Sequence, residues 1–190
     1  MNRAIFLDRD GTINEEMGYI NHVSRFHVYE FVPEAIKIFN NLNFKVIVVT
    51  NQSGVARGYY GEELVHEVHQ ILENVLKKEQ AEIDIIYYCP HHPTEGHGKY
   101  KKDCACRKPK PGMIEKAKER FNLDLSKSYM IGDRNKDIVF GKKLGLISGM
   151  VLTGYGLGEY TFQRNMWHVQ PDFIEENLLY AARRIQILEK

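Results

Sequence analysis

Ala4-Ile5-Phe6-Leu7-Asp8-Arg9-Asp10-Gly11-Thr12 is the stretch on which the fold turns: four apolar residues run straight into two carboxylates spaced i, i+2 and a glycine. An unbroken apolar run is what a strand covered on both faces shows, since a half-exposed strand alternates. Two carboxylates leaving such a strand can both enter one crevice if the backbone turns, and Gly11 permits that turn. One carboxylate can then attack phosphorus while the other gives or takes a proton, and a hard cation can bridge them. A solvated turn uses the same residue types. The residues at the ends of the other strands decide between the two.

Working outward, Lys45–Val49, Ile83–Cys89 and Tyr129–Ile131 repeat the apolar pattern, with a shorter run at Met150–Leu152. Helical patterns lie between them. Leu64, Val68, Ile71, Leu72, Val75 and Leu76 share one face, and Pro33–Leu42 opens with a proline suited to a first helical turn. Met113–Phe121 and Asn135–Leu144 are shorter helices, and Ile174–Leu188 closes the chain. Alternating strands and helices predict right-handed crossovers and a parallel sheet, hence an α/β three-layer sandwich of Rossmann-like type. No repeat, low-complexity tract or linker divides the chain, so residues 1–190 are expected to form one domain.

Four of the predicted strands lead into chemistry, where ligands of open α/β sheets bind. The second ends in Thr50-Asn51-Gln52-Ser53-Gly54, offering a hydroxyl and amides to a phosphoryl oxygen, or a helix cap. After the third comes Arg107-Lys108, charge suited to a phosphate and its transition state. The fourth ends in Gly132-Asp133-Arg134-Asn135-Lys136-Asp137. A third carboxylate at a third strand end makes a Mg²⁺ site, with oxygen ligands completed by substrate phosphate.

Composition narrows the partners. The 190 residues carry 26 basic and 25 acidic side chains, net charge +1, with 43% hydrophobic and 27% charged residues. These values exclude a disordered chain and argue against a nucleic-acid binder. Residues 99–120 nevertheless hold nine Lys or Arg against three acids, a local patch suited to a small anion. No apolar run exceeds five residues, and the N-terminus meets Asp8 too early for a signal peptide, so a cytoplasmic protein with no membrane partner is expected. A monomer is the default.

The three cysteines cluster. Cys89-Pro90-His91 and Cys104-Ala105-Cys106 together supply three thiolates and one imidazole, a full tetrahedral zinc set with no open position. His92 and His97 compete for the imidazole place. The loop of about 89–106 leads straight into Arg107-Lys108, so a structural zinc there would brace the basic residues.

The order DxDGT, TN, RK and GDxxxD over residues 3–152 resembles the haloacid dehalogenase superfamily of phosphohydrolases. The resemblance implies that Asp8 is the nucleophile, forming an aspartyl phosphate, and Asp10 the general acid and then base. It implies that Thr50 and Lys108 hold the transferring phosphoryl group, and that Asp8, the Asp10 carbonyl and Asp133 hold Mg²⁺. The zinc segment, with insertion sites too short for a separate cap domain, is similar to the branch holding the D-glycero-D-manno-heptose 1,7-bisphosphate 7-phosphatases and histidinol-phosphate phosphatases. Asn51-Gln52-Ser53-Gly54-Val55-Ala56-Arg57-Gly58 and Gly18-Tyr19 match the heptose side, where the histidinol side carries Asp at position 53. That likeness implies removal of the 7-phosphate of a heptose bisphosphate on the way to nucleotide-activated heptose for surface polysaccharide. It also implies sugar contacts from Glu16, Met17, Gly18, Tyr19, Asn51, Gln52 and Ser53, and substrate recognition by Arg107 and Arg134. Glu16 stands where the family more often has aspartate.

Three other readings compete: a histidinol-phosphate or other phosphomonoester phosphatase, a zinc-stabilised binding module without catalysis, and a nucleic-acid end phosphatase. The intact Asp8, Asp10, Lys108 and Asp133 set weighs against the module, and the last would need an extended basic groove and activity that falls steeply with salt. Gly154-Tyr155-Gly156-Leu157-Gly158 reads as a flexible loop, and Tyr59-Tyr60, Tyr87-Tyr88, Trp167 and His168 as packing or surface.

Overall fold

In the computed structural model, which describes residues 1–189, strand β1 (Arg3–Leu7) lies near the centre of a six-stranded sheet. The others are β2 (Phe44–Asn51), β3 (Ile85–Cys89), β4 (Tyr129–Gly132), β5 (Ile147–Val151) and β6 (Phe173–Glu175), in the order β3-β2-β1-β4-β5-β6. All pairings are parallel, Leu7 lying opposite Val48 on one side and Ile131 on the other. The predicted strands are present, with β5 starting earlier than the apolar run because Ser148 and Gly149 interrupt it.

The unbroken apolar runs have the expected cause. Ile5 and Leu7 pack with α1 (Val32–Asn41), α2 (Glu62–Lys78) and α6 (Leu178–Leu188), while Ala4 and Phe6 pack with α3 (Gly112–Phe121) and α4 (Asn135–Lys143). Alternate residues of one strand thus feed two cores, the side chains of Ile5, Phe6 and Leu7 each contributing about 1.5–3 kcal/mol of burial. The result is a three-layer sandwich. Among the described residues no helix is long and apolar enough to cross a membrane.

Two expectations are corrected. The C-terminal helix predicted from Ile174 begins only at Leu178; Ile174 belongs to β6, because the apolar Phe173 pairs with Gly149 and fills the space over it. The glycine-rich stretch is not a flexible loop. It opens helix α5 (Gly156–Gln163), and a Cβ at Gly156 would sit 1.9 Å from the Val151 carbonyl oxygen. Glycine is there because the backbone is packed too closely for a side chain.

The close approach of α4 to the sheet yields a test. A Cβ on Gly141 would lie 2.4 Å from Ser148 Oγ and 2.6 Å from Met130 Cβ. Alanine would add about 1 kcal/mol of helix propensity, but overpacking costs about 1–3 kcal/mol. Gly141→Ala is therefore expected to be net destabilising in urea unfolding; an unchanged or raised midpoint would contradict this packing.

Candidate active site

Strand order reverses between β1 and β4, the switch point where ligands of open α/β sheets sit. Asp8 leaves β1 there and Asp133 follows β4. Between them opens a cleft of about 250 Å³. That is small beside ordinary ligand pockets of about 300–1,000 Å³, and suits a small molecule rather than a polymer. Of the residues singled out by sequence, Asp8, Asp10, Glu16, Gly18, Tyr19, Thr50, Asn51, Ser53, Arg107, Lys108, Asp133 and Arg134 line it. Met17 is exposed outside the lining, and Gln52 is buried behind it.

Charge balance dominates the floor. Lys108 Nζ lies 2.8 Å from Asp137 Oδ1 and 3.0 Å from Asp8 Oδ1. Burial works to lower Lys108, but Asp137 and Asp8 outweigh it and hold the ammonium above its ordinary value. Burial pushes Asp8 up to about 6, with Asp137 adding to the rise and Lys108 opposing it. Asp133, 1% exposed, is pushed up to about 8 by burial and by the charges of Asp8 and Asp137. One lysine does not balance three buried carboxylates.

The donor set fits a hard cation. Carboxylate oxygens of Asp8, Asp133 and Asp137 come within 4.8 Å of one another, and Asp133 Oδ1 and Asp137 Oδ2 are buried without a hydrogen-bond partner. The space is cut for Asp133: a Cβ on Gly11 would meet its Oδ2 at 2.2 Å, and one on Gly154 at 2.3 Å. An all-oxygen site that leaves room for water and phosphate is what Mg²⁺ takes.

Around this floor the side chains are braced. Asn51 accepts from the Lys108 backbone N–H (3.0 Å) and donates to the Lys108 carbonyl (3.1 Å), tying the loop to the end of β2. Thr50 Oγ1 accepts from Gln52 Nε2 at 2.9 Å. Asp10 is held low: burial would raise it, but the charge of Arg9 and hydrogen bonds from Asn14, Arg9 and Gln52 prevail. At the rim, Arg134 donates to Glu159 (2.8 Å) and stacks over Tyr155. Tyr19 meets the edge of Tyr59 at 4.8 Å, and the Gly18 N–H donates to Glu16.

A second cluster lies beside the first. Ligand atoms of Cys89, His91, Cys104 and Cys106 come within 4.8 Å of one another, the sulfurs 3.2–3.4 Å apart and His91 Nδ1 3.5 and 3.7 Å from Cys106 and Cys89. Tetrahedral zinc with bonds of about 2.0–2.3 Å separates its ligands only slightly more. His92 points elsewhere, accepting backbone N–H bonds from Thr94 and Glu95, and His97 caps the start of a short 3₁₀ turn. Arg107 donates to the His91 carbonyl at 3.0 Å, joining this loop to the cleft.

Several functional residues carry no clear sequence signal. Asp137 is visible one turn beyond Asp133, but its pairing with Lys108 across 29 residues is not. Lys136 and Tyr155 also line the cleft, and the Tyr155 N–H donates to Asp133 Oδ2 at 2.8 Å. Tyr60 is more than packing, because its hydroxyl donates to Gln52. Arg9, 2% exposed, turns inward between the two motif aspartates and meets His69.

A family model described as HAD-hydrolase-like matches residues 105–181. The chain is 40% identical over 164 residues to the D-glycero-beta-D-manno-heptose-1,7-bisphosphate 7-phosphatase of Haemophilus influenzae, covering 83% of this chain and 89% of that one. It is 38% identical over 160 residues to a D-glycero-alpha-D-manno-heptose-1,7-bisphosphate 7-phosphatase of Photorhabdus laumondii, covering 84% and 87%. Among solved structures it resembles the D,D-heptose 1,7-bisphosphate phosphatase of B. bronchiseptica, complexed with magnesium and phosphate. There the TM-score is 0.85, the identity 27% and the coverage 99% of both chains.

Two predictions arise from this geometry. Burial and the facing Arg9 push His69 down to about 3, so between about 3 and 6.5 the unfolded chain binds a proton the folded chain does not. Stability from this group is complete above that window and falls as pH drops through it. The stability of the parent minus that of His69→Gln should shrink by about 2 kcal/mol from pH 7.5 to pH 5 in urea titrations; a constant difference would show that His69 is not buried neutral. For the cysteine cluster, elemental analysis should find one zinc per chain, lost in Cys104→Ser. Retention of the metal in that variant would refute the ligand set.

Proposed function

The chain belongs to the D-glycero-D-manno-heptose-1,7-bisphosphate 7-phosphatase family of HAD-like hydrolases, and from that premise we propose that it is a Mg²⁺-dependent phosphatase releasing the 7-phosphate of this sugar bisphosphate. The observation that carries the reading is Lys108 bonded to two buried carboxylates at the strand switch point, with Asp10 two residues beyond Asp8. A cytoplasmic monomer acting on a small sugar phosphate is the form in which we expect it to work.

Mg²⁺ would be held by the carboxylates of Asp8 and Asp133 and the carbonyl of Asp10, and when bound supplies positive charge against the phosphoryl oxygens. The chain's own groups do the rest. An Asp8 carboxylate oxygen bonds to phosphorus as the bond from phosphorus to the sugar O7 breaks; Asp10, ionised in the free protein, takes up the proton of the substrate's phosphate monoanion and passes it to O7. The product sugar leaves an aspartyl phosphate. Asp10, now a base, takes a proton from the water that attacks phosphorus, the bond to Asp8 breaks, and phosphate departs. Lys108 and Thr50 orient the phosphoryl group throughout, Lys108 also offsetting the nucleophile's charge. At the cleft mouth Arg107, Arg134 and Lys136 meet the remaining anionic part of the substrate, while Glu16, Tyr19 and Ser53 face the sugar.

The test is phosphate release, with Mg²⁺, from both anomers of the heptose 1,7-bisphosphate, histidinol phosphate and an aryl phosphate. Efficient turnover of a heptose anomer, falling by about 10³-fold or more in folded Asp8→Asn, is expected. Preference for histidinol phosphate would overturn the substrate, and near-parental activity of Asp8→Asn would overturn the nucleophile.

A further inference from the structure

We propose that His69 and Arg9 form a positioning pair for Asp10, setting the carboxyl in the orientation from which it protonates the leaving group. This rests on the reading of Asp10 as the general acid.

Arg9 sits between the two motif aspartates, yet its side chain is buried, and a buried guanidinium needs its donors met. Nε donates to Asp10 Oδ1 at 3.1 Å, and one terminal nitrogen donates to Oδ1 at 2.8 Å and Oδ2 at 3.0 Å. The other terminal nitrogen lies 3.2 Å from His69 Nε2. Arginine can only donate, so Nε2 must be the lone-pair nitrogen and the ring proton belongs on Nδ1. His69 comes from α2 and is 9% exposed. The ring of Tyr88 packs against it at 5.6 Å and 64°, and the Tyr88 hydroxyl is fixed by Glu62 at 2.6 Å.

The other side of Asp10 is held as firmly. Asn14 donates to Oδ1 at 3.0 Å and Gln52 to Oδ2 at 2.8 Å, while Tyr60 fixes Gln52. None of these groups has a role in the bond-making steps above. Proton transfer depends steeply on donor placement, so a guanidinium released from His69 would loosen the acid without touching Asp8 or Lys108.

The experiment separates placement of the acid from general folding. kcat/KM, which reports only steps through leaving-group departure, is measured for phenyl phosphates ranging from phenyl to p-nitrophenyl, whose phenolate leaves without a proton. His69→Leu should stay within about twofold of the parent on p-nitrophenyl phosphate and fall about tenfold on phenyl phosphate. His69→Gln, whose amide oxygen can accept from Arg9, should restore the shallow dependence. Should His69→Leu not fold, Arg9→Lys, which keeps the charge but loses the fork, carries the same expectation. An equal loss across the series, or no loss, overturns the pair. Asp10→Asn is the independent control: a steep dependence in that variant upholds the acid whatever His69 does, and a shallow one overturns the acid reading itself.

Discussion

The ammonium of Lys108, bonded at once to Asp8 and Asp137, is the interaction on which the site depends. Three carboxylates buried at one sheet seam repel one another, and burial with that repulsion pushes Asp8 and Asp133 up. Breaking a buried pair by removing one partner costs about 3–5 kcal/mol, because the other charge is left alone. Much of the surrounding structure exists to keep that lysine where it is. Asn51 clamps its backbone from β2, the cysteine loop reaches it through Arg107 and His91, and α4 presents Asp137 against Gly132.

The same balance explains why the site suits a cation. The lysine offsets part of the charge, and the unpartnered oxygens of Asp133 and Asp137 mark where the rest accumulates. A substrate phosphate would add more negative charge to the same spot. A divalent ion and a phosphate arriving together therefore satisfy the site better than either alone. The glycines at 11 and 154 leave the room that the Asp133 carboxylate occupies, so a side chain at either position would displace it from the cluster.

Legibility in the sequence tracks the range of the interactions. Strand ends and the basic run before α3 declare themselves locally, so Asp8, Thr50, Lys108 and Asp133 stand out from the chain's own pattern, as do the four members of the cysteine cluster. Partnerships across long separations do not. Arg9 looks like a solvated residue between two acids until α2 brings His69, sixty residues on, against it. Short elements are hidden as well. β6 is three residues long and merges with the apolar pattern of α6, and α5 is masked by glycines, of which Gly154 and Gly156 are required by close packing.

With insertions too short for a covering domain, the placement of Asp10, the acid of the proposed mechanism, has to be built into the body of the protein. The molecule does this with one continuous unit. Tyr88, next to Cys89, and Tyr100, within the cysteine loop, both donate at 2.6 Å to Glu62 in the first turn of α2. Two turns on, the same helix carries His69 to Arg9 and thence to Asp10. The cysteine loop also holds Arg107, beside Lys108, through the His91 carbonyl. Edge strand, loop and helix thus hold Asp10 from one side and Lys108 from the other. A zinc held in that loop would stiffen the supports of both Asp10 and Lys108 without touching either.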